Sequence, residues 1–146
     1  MINTTNLNQV RKQIQELKKQ KKQVIVQAQD DEFNRKILEI PDVDIFLGSE
    51  IHNRKDRMKQ RDSGLNEINC KLAVKNNIKL AINLPLVIQL PKKEKAKVLA
   101  RVMQNIYLCK KTKAQLIVFP SKYKKQDVIS LFLSLKSSTQ LAKKAF

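Results

Sequence analysis

His52 is the only histidine in the chain, and this removes much of acid–base and metal chemistry. A zinc hydrolase draws several imidazoles to one ion, and a serine or cysteine nucleophile usually leans on a histidine base. Neither arrangement can be assembled from one ring. His52 stands at the mouth of a basic stretch, Ile51–Ile68 (IHNRKDRMKQRDSGLNEI), where it could touch a phosphate or accept a proton, or could be a solvated loop histidine. Asp42, Asp44, Asp56 and Asp62 could gather magnesium for phosphoester cleavage. Each also has a structural use: Asp42 precedes an apolar run, Asp56 is a local counter-ion among cations, and Asp62 can cap a helix. No residue is therefore assigned as catalytic or as a metal ligand. Glycine occurs at two positions, Gly48 and Gly64, so neither a P-loop nor a dinucleotide fingerprint is present. Cys70 and Cys109 form no CxxC motif, which points to small apolar packing in a reducing compartment.

What remains is charge. Lys and Arg number 30 against 13 Asp and Glu, a formal charge of +17. That excess favours polyanions, because each phosphate neutralised releases counterions. A lysine-rich genome would raise the same count, so the placement of the cations matters more than their number. Arg54, Lys55, Arg57, Lys59 and Arg61 crowd one segment that ends in Asp62, Ser63 and Gly64. If a helix starts there, Ser63 and Gly64 offer free amides beside Arg61, a seat for phosphate; the alternative is that Asp62 and Ser63 only cap the helix.

The elements that position these residues follow from apolar periodicity. Leu7, Val10, Ile14 and Leu17 recur at helical spacing, predicting an amphipathic helix to about Lys22 capped by Thr4 or Thr5. Four apolar runs then read as strands: Gln23–Ala28, Val43–Gly48, Ile78–Leu84 and Gln115–Pro120. Helices alternate with them, carrying Phe33, Ile37 and Leu38; Leu65, Ile68 and Leu72; Val98, Leu99, Val102, Met103 and Ile106; and the span Asp127–Leu135. Pro85 and Pro91 bound a loop, and a helical turn near Leu141 closes the chain. Strand, helix, strand repetition predicts an α/β fold: a parallel sheet with crossover helices, either an α/β layer or a barrel segment. One domain over 1–146 is expected, with residues 1–22 an N-terminal helix, 23–135 the strand–helix repeats and 136–146 a helical tail. The N-terminus has no apolar signal core and no apolar run approaches the ~20 residues of a bilayer span, so a cytoplasmic protein without a membrane partner is expected.

In a parallel sheet the connections leaving the strands gather at one edge, where ligands bind. The first such connection (QAQDDE) is acidic. The second is the basic stretch; the third carries Lys92, Lys93 and Lys95; the fourth carries Lys122, Lys124 and Lys125. Tyr123, among those lysines, could stack a base, while Tyr107 in the long helix reads as packing.

The segments DVDIFLGSEIHNRKD and RDSGLNEINCKLAVKNNIKLAINL resemble archaeal ribonuclease P protein component 3, the relative of the eukaryotic thirty-kilodalton subunit. That family carries a DVDIL-type strand, a basic residue leading into Asp-Ser-Gly, a helix and a VAIEL-type strand, matched here by Asp42–Leu47, Arg61–Gly64, Leu65–Asn77 and Ile78–Leu84. RVMQNIYLCKK resembles its long helix, with Asn105 and a basic end, and DVISLFLSL its penultimate helix. The resemblance covers roughly residues 23–141. It implies a barrel of the TIM type, here a partial TIM-like barrel, in a protein that assists an RNA enzyme: the RNA, using magnesium, removes the 5′ leader of precursor tRNA, and the protein works with component 2. It thus implies ribonuclease P RNA, precursor tRNA and component 2 as partners, with Mg2+ on the RNA and no cofactor on the protein. Against that family the chain reads as shortened at its N-terminal side, the basic connection is long, and VFPSK replaces an Ile-Ser-Ser/Thr-Asp-Ala-type strand ending. The competing readings are a metal-dependent phosphoesterase of the histidinol phosphatase type and a generic RNA-binding protein.

Overall fold

A computed structural model describes residues 1–146 and bears out the alternation. After α1 (Leu7–Lys19) come β1 (Ile25–Gln27), α2 (Asp31–Leu38), β2 (Ile45–Leu47), α3 (Glu67–Lys75) and β3 (Lys79–Asn83). The chain continues as α4 (Leu84–Gln89), α5 (Lys92–Thr112), β4 (Leu116–Phe119), α6 (Lys125–Ser134) and α7 (Thr139–Lys143). The four strands form one parallel sheet in the order β1-β2-β3-β4. Sequential order with a helix in every crossover is the arrangement of a TIM-barrel segment.

Side chains alternate across the pleat, and the two faces are covered differently. Val26, Phe46, Leu80, Ile82, Leu116 and Val118 join residues of α1, α2, α3, α5 and α6 in one core. Ile45, Leu47 and Ala81, with Ile25, Ile117 and Phe119 beside them, form a smaller cluster that contains no helical residue. All the helices therefore lie on one side. Full burial of Ile37, Phe46 and Phe132 on that side contributes roughly 1.5–3 kcal/mol each. The sheet edges are capped by the chain's own ends. Ile2 donates to the Ile25 carbonyl (2.7 Å) and accepts from Gln27 N–H (2.9 Å), while Val118 N–H donates to the Ala145 carbonyl (2.8 Å). Edge groups so paired are withdrawn from adventitious strand addition.

Several local expectations are corrected. Asn6, not Thr4 or Thr5, caps α1, accepting from the amides of Asn8 (3.0 Å) and Gln9 (3.3 Å). Helix α1 stops at Lys19, short of Lys22, because Lys21 turns into the left-handed region (φ 54). Asn66 caps α3 through the Asn69 amide at 2.8 Å, so Asp62 and Ser63 lie outside that helix. The buried face of α3 is Asn69, Cys70 and Ala73, whereas Ile68 is 59% exposed. The span between the prolines is the short helix α4, since Pro85 falls in the first turn, where its missing N–H costs nothing. Tyr107 is 64% exposed and does not pack in the core. Cys70 and Cys109 are both fully buried where α3 meets α5.

Candidate nucleic-acid interface

The basic connection leaves β2 and runs to the cap of α3 without regular secondary structure of its own. It is nevertheless fixed, by a residue of α5. Arg101 is 1% exposed, and its guanidinium donates to the carbonyls of Glu50 (3.2 Å), His52 (3.1 Å) and Arg54 (3.0 Å). Its Nε also meets the Asp56 carboxylate at 3.3 Å. One planar, permanently charged fork thus holds alternate carbonyls of an extended segment, a geometry the point charge of a lysine could not serve. One turn along α5, the Asn105 amide nitrogen lies 3.4 Å from Ser49 Oγ and 3.5 Å from the Ser63 carbonyl, binding both ends of the loop.

The loop closes on itself through polar contacts. Arg54 N–H donates to His52 Nδ1 (3.2 Å), so the neutral ring carries its proton on Nε2, which donates to the Asp62 carbonyl (2.8 Å). Burial, with Arg101 and Arg54 nearby, holds the His52 pKa below its usual value. Asp56 accepts from Asp62 N–H (3.0 Å), and that bond, strengthened by Arg101, lowers its pKa. Glu50, 1% exposed, accepts from Asn83 N–H at 3.2 Å, and burial pushes its pKa up to about 7. Gly64 sits at φ +75, and a Cβ there would fall 2.0 Å from the Ser49 carbonyl oxygen.

The sequence-chosen residues divide accordingly. Ser63 and Gly64 are buried; the Ser63 hydroxyl donates to the Leu65 carbonyl and the Gly64 amide to Asp62. The phosphate seat expected at a helix start there is not formed, because α3 begins three residues later and these groups serve the loop. Arg54 is ion-paired to Asp31 (2.7 Å) of the acidic first connection and to Asp62 (3.3 Å). Lys55, Arg57, Lys59 and Arg61 are exposed, with Arg61 held loosely by Asp56 at 3.7 Å. Lys92, Lys93, Lys122, Lys124 and Lys125 are also exposed. Tyr123 packs partly against the core, with the Lys122 ammonium 5.6 Å from its ring centre. The carboxylates considered for magnesium do not converge: Asp44 pairs with Lys18 at the edge where strands begin, while Asp56 and Asp62 brace the loop at the edge where they end. Sequence reasoning missed Arg101, Asp31 and Glu50. A signal for the first existed, since Arg101 and Asn105 fall in the buried stripe Val98, Val102, Ile106 and Cys109.

Two helices begin at this rim with lysines where the dipole is already positive. Lys92 and Lys93 open α5 and Lys124 and Lys125 bound the start of α6; neither helix has a side-chain cap, and each has one acid, Glu94 or Asp127, in its first turn. Such placement costs about 0.3–1 kcal/mol per cation, and an anion at the free amides reverses the sign. Rigid loop, exposed cations and uncapped amides together make a surface suited to phosphate.

Over 117 residues, 80% of its length, the chain is 25% identical to ribonuclease P protein component 3 of Methanococcus maripaludis (strain C7), covering 47% of that protein. The chain is similar to ribonuclease P protein component 3. The corresponding protein of Methanococcus vannielii is 24% identical over 117 residues, with 80% of this chain and 48% of the relative covered. This chain spans about half the length of these curated relatives. A chain of the cryo-EM structure of archaeal ribonuclease P with mature tRNA superposes with TM-score 0.74 at 20% identity, covering 97% of this chain and 60% of that one, and so shares its fold. No family model matches the chain. No helix is long and apolar enough to cross a membrane.

Proposed function

We propose that this chain is a protein subunit of ribonuclease P that binds the ribonuclease P RNA through the cationic rim at the C-terminal edge of its sheet. The observation that carries the reading is the pair of lysine-started, uncapped helices, α5 and α6, standing at the same edge as the exposed Lys55, Arg57 and Lys59. Apart from Lys125, whose ammonium stands 4.4 Å from the Phe146 ring centre, these cations have no internal partner, and phosphates supply what the fold withholds. Similarity to component 3 over 117 residues supports the same reading. In it the RNA carries the magnesium and the chemistry, component 2 is the protein partner, and the substrate is precursor tRNA; the protein contributes affinity and shape, and no side chain of it touches the scissile bond.

The test is reconstitution. Precursor tRNA cleavage is followed with the RNA subunit and component 2, with and without this chain, and with this chain alone. Faster release of the 5′ leader only when the RNA is present is the expected result. Metal-dependent cleavage by the protein alone would make it a phosphoesterase instead, and binding without any effect on cleavage would make it a generic RNA-binding protein.

A further inference from the structure

The opposite edge of the sheet, where the strands begin, carries a second concentration of charge. Two adjoining hollows of about 600 and 560 Å³ share Asn77 and Lys79. Lys18, Lys21 and Lys22 bring the end of α1 to this groove, and Lys79 opens β3 within it. Lys110, Lys113 and Lys144 complete the far wall. Asp44 is the one carboxylate in the lining, and it is taken by Lys18 at 3.1 Å. The other six lysines have no acidic partner within ion-pair distance.

Helix C-termini attract cations, which accounts for Lys18 and Lys110 in last turns and for Lys113 and Lys144 at the C-caps of α5 and α7. It does not account for Lys79, in a strand, or for the crowding of unpaired ammonium groups from four separate junctions, whose mutual repulsion opposes folding. Lys21 and Lys113 in addition occupy left-handed backbone (φ 54 and 63), a conformation that glycine adopts freely and lysine does not. The groove therefore crowds unpaired cations together and keeps two of them, Lys21 and Lys113, in backbone that disfavours lysine. From Lys93 to Lys110 along α5 the rise is about 25 Å, roughly three Debye lengths at physiological salt. The two edges are electrically independent.

We infer that this groove is a second RNA-backbone site, so that one molecule of the protein holds two RNA segments, one at each edge of its sheet. The inference depends on the proposed function only in taking RNA as the polyanion. Amide groups of Asn77 and Gln140 in the same lining offer hydrogen bonds to ribose and phosphate without demanding a sequence.

The experiment uses the full chain with a short RNA duplex, half of it donor-labelled and half acceptor-labelled, and reads energy transfer between duplexes alongside affinity at several salt concentrations. Sedimentation confirms that the protein is monomeric under these conditions. Wild type should bring two duplexes together. The triple variant Lys79→Glu, Lys113→Glu, Lys144→Glu should abolish the transfer, keep single-duplex binding, and lower the salt slope by about one per lysine engaged. The same positions changed to Gln should give a smaller loss in the same direction, which separates charge from misfolding. Absent transfer in wild type together with wild-type affinity in the groove variant, or transfer and slope unchanged in both variants, overturns the groove. A groove variant that keeps both RNA readings but loses binding to poly-aspartate also overturns it, in favour of an acidic protein. Arg57→Glu, Lys93→Glu, Lys124→Glu is measured in parallel: wild-type affinity there, with binding lost in the groove variant, would sink the proposed function and leave the groove as the RNA site.

Discussion

Arg101 reaches 45 positions back along the chain to Asp56, Nε to Oδ1 at 3.3 Å, while its other nitrogens hold three carbonyls of the same loop. A buried helix residue thereby sets the shape of an exposed cationic segment. Lys55, Arg57 and Lys59 can be presented in one geometry because the backbone beneath them is tethered, which lowers the ordering entropy that RNA binding would otherwise cost.

Removing that tether should loosen the loop and destabilise the fold together. Arg101→Met leaves buried carbonyls unpaired and strips Asp56 of its main cation, a loss of about 3 kcal/mol. Arg101→Lys keeps one charge without the fork and should fall between. Urea unfolding measures the stability, and trypsin cleavage after Arg54, Lys55, Arg57, Lys59 or Arg61 reports the loop. Wild-type protease resistance in Arg101→Met would show that something else holds the segment.

Gly64 and Gly48 share φ +75 but differ in what faces them. An added methyl at Gly64 meets the Ser49 backbone carbonyl at 2.0 Å, whereas at Gly48 it meets the end of the Gln27 side chain at 2.6 Å. Backbone cannot yield as a glutamine amide can. Gly64→Ala should therefore cost more than Gly48→Ala, the latter being limited to backbone strain of about 1–3 kcal/mol. Equal losses in thermal unfolding would contradict the close packing of the loop's two ends.

Two groups two residues apart give opposite pH dependences. Glu50 is raised from 4.5 to about 7, so the folded state holds a proton that the unfolded chain releases. Its contribution is fully present below pH 4.5, falls as pH rises toward 7, and stays lost above. His52 is lowered from 6.5, so its contribution is present above pH 6.5 and is lost as pH falls below that value. Glu50→Gln should remove the first effect. The variant should gain stability over wild type at pH 8, up to roughly 3 kcal/mol, and show none of that gain at pH 4. Urea midpoints across that range check it; parallel curves for the two proteins would show that Glu50 is not buried as described.

The alternation of strands and helices was legible because each apolar run is bounded by Asp, Asn or Pro, and Asp30 caps α2 as its position suggests. The start of α3 was not. Asp62-Ser63-Gly64 carries good capping chemistry, but His52, Asp56 and Asn105 bind the backbone of Asp62 and Ser63 into the loop, and Asn66 caps instead. Arg101 left one mark, its place in the buried stripe of α5, but its role did not show because its partners are mostly backbone carbonyls, which leave no mark in a sequence. Charge misled in one respect as well. The connections that leave the strands made the cations look directed to one edge, whereas lysines scattered one to three at a time across the helix-to-strand junctions and the end of α7 meet at the other.

The most direct test of the central claim is the salt dependence of binding to ribonuclease P RNA, comparing wild type with Arg57→Glu, Lys93→Glu, Lys124→Glu. These residues come from three connections at one edge, and all are exposed. If that edge is the RNA-binding rim, affinity falls and the slope of log K against log salt drops by about one for each contact removed. Unchanged affinity and slope would contradict it.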